Sequence, residues 1–182
     1  MKKLKLISQN SLDQKDDSLS NIIKWLNDDI SKVNSVILDK MSSKVPLISQ
    51  LSGYIISSGG KRIRPILTLA TSKLCKYSGE RHINLAASIE FIHTATLLHD
   101  DVVDESIQRR GQKSANLVWD NKSSILVGDF LLSKAFRLMI KDGSHRCLDV
   151  MSKASLEISQ GEVLQLLTNN NIKTSESQYY NV

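Results

Sequence analysis

The sequence predicts an all-α fold, and three observations carry that expectation. Breakers are scarce: 182 residues hold 8 Gly and 2 Pro, and aromatic residues make up 5%. Sandwiches and barrels of short strands need frequent turn residues and aromatic or β-branched runs. Apolar residues here recur in steps of three and four, and no segment alternates strictly between apolar and polar, as a half-buried strand would. At 41% apolar and 24% charged residues, the composition is that of an ordinary globular domain and excludes an intrinsically disordered chain.

The elements follow in order. Residues 1 to about 17 are polar and expected to be loose. The stripe Leu19, Ile22, Ile23, Leu26, Ile30, Val33, Ile37, Met41 predicts one helix of about six turns, ended by Pro46. Leu47, Ile48, Leu51 and Ile55 predict a second helix reaching Ser57, closed by Gly59-Gly60, since helices often end on a left-handed glycine. Pro65 suits the first turn of a third helix, which reaches about Tyr77. A fourth starts near Arg81 and carries Leu85, Ile89, Ile92 and Thr96 towards Asp104. Glu105 to Asn116 reads as a polar loop. Two more helices are expected, from about Ser123 to Lys141 and from about Ser144 to Thr168, followed by a polar tail from Asn169 to Val182. With no internal repeat or low-complexity block, residues 18–182 read as one unit.

The formal net charge is +5. It comes from scattered lysines and the pairs Lys61-Arg62 and Arg109-Arg110, without the stripe that nucleic-acid binding requires, so no nucleic-acid partner is expected. No apolar run approaches the ~18 residues of a transmembrane span, and the basic start MKKLKLISQNSLD lacks a secretory apolar region. Cys75 and Cys147 read as free thiols of a reducing compartment. The chain is therefore expected in the cytoplasm.

The chemistry concentrates in the stretch from His93 to Asp104, HTATLLHDDVVD. Asp100 and Asp104 are four apart and share a helical face, with Asp101 beside them. Three carboxylates repel one another, and a helix C-terminus adds partial negative charge. A cation must offset this. Carboxylates with no cysteine suit a hard ion such as Mg²⁺, which takes few protein ligands and bridges to phosphate oxygens. Leu97, Leu98, Val102 and Val103 flank the aspartates, which points to a cleft. The plain structural alternative is an exposed acidic helix end paired with Arg109 and Arg110. His93, seven residues before Asp100, shares its face. Ala95 and Thr96 are small and are expected to leave open space beneath the carboxylates.

Two basic clusters could face this site. In Gly59-Gly60-Lys61-Arg62-Ile63-Arg64-Pro65, the glycines permit close backbone approach to a ligand, the following helix offers free N–H groups, and Lys61 and Arg64 are three apart. This is a possible diphosphate cradle without the spacing of a P-loop. Arg109-Arg110-Gly111 supplies guanidinium groups suited to phosphate oxygens.

GGKRIRP, EFIHTATLLHDDVVDES, RRG, LVGDFLLSKAF and QGEVLQL occur in the order and spacing of the trans-type polyprenyl diphosphate synthases, and the chain resembles their medium- and long-chain members from about residue 20 onward. The resemblance implies an all-α, isoprenoid-synthase-type helical bundle. It implies a prenyltransferase that joins isopentenyl diphosphate to an allylic diphosphate by Mg²⁺-assisted ionisation. Asp100 and Asp104, supported by Asp101, would be the catalytic aspartates and would bind the Mg²⁺ ions. Arg109 would contact the allylic diphosphate. Lys61, Arg64, His93 and Arg110 would bind isopentenyl diphosphate, and Gln165 would line the site from a facing helix. Gly128-Asp129 would be structural, and Ala95 and Thr96 would set product length. A homodimer, or pairing with a second synthase chain, is expected.

The family's second aspartate-rich motif has no counterpart here, so residues 18–182 are expected to be the N-terminal half of the domain, weak or inactive alone. Two other readings are a non-catalytic or decayed subunit that partners an intact chain, and a metal phosphohydrolase built on His99-Asp100.

Overall fold

The computed structural model describes residues 17–142, 144–169 and 171–182, so the expected loose segment 1–17 lies, but for Asp17, outside the described residues. The chain divides into two compact units, Met1–Asp142 and Gly143–Val182.

In the first unit the helices are α1 (Asp17–Trp25), α2 (Asn27–Met41), α3 (Pro46–Ser57), α4 (Ile63–Leu74), α5 (Arg81–Val103), α6 (Ala115–Val118) and α7 (Asn121–Asp142). Two short strands, β1 (Gln108–Arg109) and β2 (Gln112–Lys113), pair antiparallel between α5 and α6. The expected all-α class holds, with this hairpin as the exception. Helix α5 is the centre: it packs chiefly on α7, with α4 and α2 against it. It can do so because Ala86, Ala87, Ser88, Phe91, Ala95 and Leu98 bury more than one side of the helix. Gly128 of α7 lets the two helices approach, since a Cβ there would overlap the His99 ring.

Sequence and structure differ at several boundaries. The long stripe is broken at Leu26, which leaves helical geometry (φ −100°, ψ 5°) although its side chain stays fully buried. Asp28 and Asp29 follow in the first turn of α2, where the helix dipole favours carboxylates. Helix α4 stops at Leu74 rather than near Tyr77, with Lys76 in the left-handed region. The expected loop from Glu105 to Asn116 contains the hairpin, whose two-residue strands are too short to show a period.

The second unit holds α8 (His145–Thr168) and α9 (Glu176–Tyr180). Ser144 caps α8 by accepting from the Cys147 N–H. The expected polar tail forms α9 because Ser175 and Gln178 make a capping box.

Candidate functional site

The C-terminal turn of α5 separates the three aspartates by role. Asp104 is exposed and Asp100 half-buried, stacked one turn apart. Asp101 lies about 100° further round the helix, and its side chain is 1% exposed. There it accepts from Arg109: Nε donates to both carboxylate oxygens at 2.8 and 2.9 Å, and Nη2 lies 2.7 Å from Oδ1. This bond, joined by the attraction of Asp100 and Asp104, holds the Arg109 guanidinium above its ordinary pKa. Asp101, expected to support a metal, is therefore the anchor of Arg109, and Arg109, expected to contact a diphosphate, is held at the carboxylate side of the site. The acidic helix end pairs with arginine at this residue.

The hairpin turns on Arg110 and Gly111, both at positive φ (52° and 79°), the two-residue geometry that matches strand twist. Tyr54 Oη donates to the Lys113 carbonyl at 2.7 Å and ties the hairpin to α3. The Arg110 guanidinium lies on Gly60, where an added Cβ would sit 2.5 Å from Nη1. The group that comes close to the Gly60 backbone is Arg110. Gly59, at φ 83°, ends α3 in the left-handed conformation that the sequence predicts.

Arg62 at the start of α4 turns inward. It is 8% exposed and forms an ion pair with Glu90 of α5. This pair is not among the residues expected from the sequence. Its signal was a glutamate inside the apolar run Ser88-Ile89-Glu90-Phe91-Ile92, which demands a buried cation. With Arg62 internal, Lys61 and Arg64 on either side stay exposed, and no ion pair engages them among the described residues.

His93, half-buried two turns below Asp100, joins these groups. Burial lowers its pKa most, and Arg64 lowers it further; Glu90 opposes them, while Arg110 and Arg109 add to the lowering. Burial and the field of three guanidinium groups thus favour the neutral imidazole. The candidate site has carboxylates at the end of α5 (Asp100, Asp104) and guanidinium groups whose charge reaches His93 from Arg64 and Arg110; Lys61 is exposed next to the Gly60 that Arg110 covers. That arrangement suits a polyanion whose far end carries a hard cation. Among the described residues no three His, Cys, Asp or Glu side chains converge as a metal cage. Asp100 and Asp104 fit an ion such as Mg²⁺, which takes one or two carboxylates and completes its shell with water and phosphate oxygens.

The remaining expected residues fall elsewhere. Thr96 is half-buried, its Oγ1 donating to the His93 carbonyl at 2.9 Å. Ala95 does not line open space: it is 2% exposed and belongs to the core, because five residues before Asp100 is well round the helix from the carboxylate face. His99 turns to α7, with Nε2 at 3.2 Å from the Ile125 carbonyl and 3.4 Å from Asp129. Gln165 is an exposed residue of α8, in the second unit.

Comparison with known proteins bears on the family of the chain. The family model described as polyprenyl synthetase matches residues 45–182. The chain is 48% identical over 165 residues to octaprenyl diphosphate synthase of Escherichia coli K12, covering 91% of this chain and 51% of that one. The crystal structure of a polyprenyl synthase from Caulobacter crescentus, complexed with calcium and isoprenyl diphosphate, superposes with a TM-score of 0.88 at 42% identity, over 93% of this chain and 52% of that one. A decaprenyl diphosphate synthase from Rhodobacter capsulatus gives 0.85 at 48% identity, over 90% and 50%. The chain belongs to the polyprenyl synthetase family. It spans about half the length of the curated relatives it matches.

Proposed function

We propose that this chain carries diphosphate-binding and ionising machinery of a prenyltransferase that joins isopentenyl diphosphate to an allylic diphosphate, giving a medium- or long-chain product. The observation that supports this reading is that the charges of Arg64, Arg109 and Arg110 reach His93, two turns below Asp100 on α5, while those of Asp100 and Asp104 reach Arg109. In this reading Asp100 and Asp104 hold Mg²⁺, which supplies charge to stabilise a departing diphosphate. Arg109, fixed by Asp101, adds guanidinium charge at the same side. Lys61, Arg64 and Arg110 hold the second diphosphate, and His93, whose surroundings favour the neutral ring, donates one N–H. The allylic C–O bond breaks with its electron pair leaving on diphosphate. The double bond of isopentenyl diphosphate attacks the resulting cation, and loss of a proton restores an allylic product. His99, engaged with α7, gives the phosphohydrolase reading no support.

The same proposal includes assembly with a second synthase chain, of the same or another kind. The exposed Val150, Leu156, Val163 and Leu167 of α8 supply apolar surface for it. Work in the cytoplasm is also proposed: no described helix is long and apolar enough to cross a membrane, and Cys75 and Cys147 are free.

The test is binding of an allylic diphosphate, farnesyl diphosphate, with and without Mg²⁺, alongside incorporation of labelled isopentenyl diphosphate. Mg²⁺-dependent binding that Asp100→Ala and Asp104→Ala abolish is expected. Binding indifferent to Mg²⁺ or to both substitutions overturns the reading. Label incorporation by the chain alone would overturn the expectation that it is weak or inactive by itself.

A further inference from the structure

We propose that a second, basic cleft in the first unit binds the phosphate group of an amphipathic anion. The cleft lies between the end of α2 and the C-terminal half of α7 and encloses about 590 Å³. Four cations line it, Lys40, Lys134, Arg137 and Lys141, together with the apolar Phe130 and Ile140. None of these residues belongs to the Asp100 site, and the inference does not depend on prenyl transfer.

The charge arrangement calls for a ligand. Lys134, Arg137 and Lys141 follow one another at steps of three and four on a single face of α7, where like charges repel. Helix dipoles account for Lys141 and Lys40, which stand in the last turns of α7 and α2. They do not account for Lys134 and Arg137, which lie earlier in α7. Nearby carboxylates neutralise the row only in part, since one carboxylate, Asp39, serves Lys40, Lys134 and Lys141. Asp142 is bound by Arg81, with both of its oxygens accepting at 2.7 Å. Asp39 is paired with Lys40 at 2.6 Å, and the fields of Lys134 and Lys141 also reach it. A small anion would satisfy the row, yet the wall beside it is apolar. The Lys134 ammonium stands 4.9 Å from the centre of the Phe130 ring, and Ile140 is 63% exposed. Cations beside the exposed Ile140 and the half-buried Phe130 ring match a phosphate or diphosphate with an apolar chain attached. A soluble phosphorylated amphiphile and an anionic phospholipid headgroup share that chemistry.

The experiment uses the full chain bearing Lys61→Ala and Arg64→Ala, without Mg²⁺, so that anion binding at the other site is weakened. Titrations compare inorganic diphosphate, farnesyl diphosphate, and phosphatidylcholine vesicles with and without phosphatidylglycerol. Each is repeated after adding Lys134→Gln and Arg137→Gln, exposed or half-exposed residues of one helix face. The expected result is binding of farnesyl diphosphate or of the anionic vesicles, weakened about tenfold or more by the added pair. Whichever of the two binds identifies the source of the phosphate. Binding that the added pair leaves unchanged overturns the proposal, as does no binding of either probe. Inorganic diphosphate binding as tightly as farnesyl diphosphate overturns its amphipathic part.

Discussion

Replacing each carboxylate of the α5 terminus by its amide separates folding from ligand binding within five consecutive residues. Asp101→Asn keeps the shape but removes the charge that Arg109 meets through three contacts of 2.7 to 2.9 Å. Breaking a fully buried ion pair costs about 3–5 kcal/mol, and a hydrogen bond to a charged group contributes about 1.5–3 kcal/mol. The Arg109 side chain is 28% exposed and can rehydrate, and asparagine still accepts one bond, so the loss falls near 2 kcal/mol. For a domain of this size that lowers the melting temperature by about 4–8 °C. Asp104 is exposed among like charges, and its attraction to Arg109 offsets the repulsion it relieves. Asp104→Asn therefore shifts stability by no more than about 0.5 kcal/mol, while removing Mg²⁺-dependent diphosphate binding. Urea unfolding followed by circular dichroism, with isothermal titration of farnesyl diphosphate, reads both effects. An Asp101→Asn protein with an unchanged urea midpoint, or an Asp104→Asn protein destabilised as much, would refute the division.

Three further outcomes follow from the same geometry. Gly60→Ala forces the Arg110 guanidinium away, which a flexible side-chain end can do at little cost in stability; calorimetric titration should show weaker inorganic diphosphate binding, and unchanged affinity would sink the contact. The folded-state pKa of His93 is lowered, so as pH falls the unfolded chain takes up this proton first. The stability contributed by neutral His93 is complete above the ordinary histidine range and is lost as pH drops through it; urea midpoints from about pH 8 to 5 should fall less steeply in His93→Gln, and parallel curves would count against the environment described. Ala95→Phe overpacks the core and costs about 1–3 kcal/mol, whereas Thr96→Phe is tolerated and, on the proposed function, shortens the product of the complete enzyme; thermal melts and product chain-length analysis distinguish the two.

Helix α2 was legible because its apolar stripe packs as a stripe requires: Leu26, Ile30, Val33, Ile37 and Met41 are all buried. In α5 the expected stripe Leu85, Ile89, Ile92 and Thr96 is only half-buried, and the core side is Ala86, Ala87, Phe91, Ala95 and Leu98, because this helix is covered on more than one face. Gly59 read correctly for the same local reason, a backbone conformation that one residue type favours. What stayed hidden depends on tertiary partners. Nothing in DDVVD says that the second aspartate faces inward until Arg109 folds back onto it. Nothing in GGKRIRP says that Arg62 leaves the basic cluster until Glu90 meets it across 28 residues. The small size of Ala95 serves packing here, since the residue lies in the core. In a helix buried on several faces, a small residue more often marks close packing.

The adjacent residues Arg109 and Arg110 show how a two-residue strand can set the dimensions of a site. Arg109 ends β1 and reaches the buried carboxylate at the end of α5. Arg110 enters the turn at positive φ, and its guanidinium goes the other way, onto Gly60 before α4. The hairpin thus braces the carboxylate side against the cationic side, and Tyr54 pins its far strand to α3. Such a brace explains why so small a sheet interrupts a helical fold. The two halves of the candidate site come from segments some forty residues apart, and on the proposed function their spacing must match one diphosphate reacting with a neighbour. Loss of either anchor, through Asp101→Asn or Gly60→Ala, would then alter the spacing felt by both. Coupling between these two substitutions in a double-mutant cycle of diphosphate binding, rather than simple additivity, is the consequence of that arrangement.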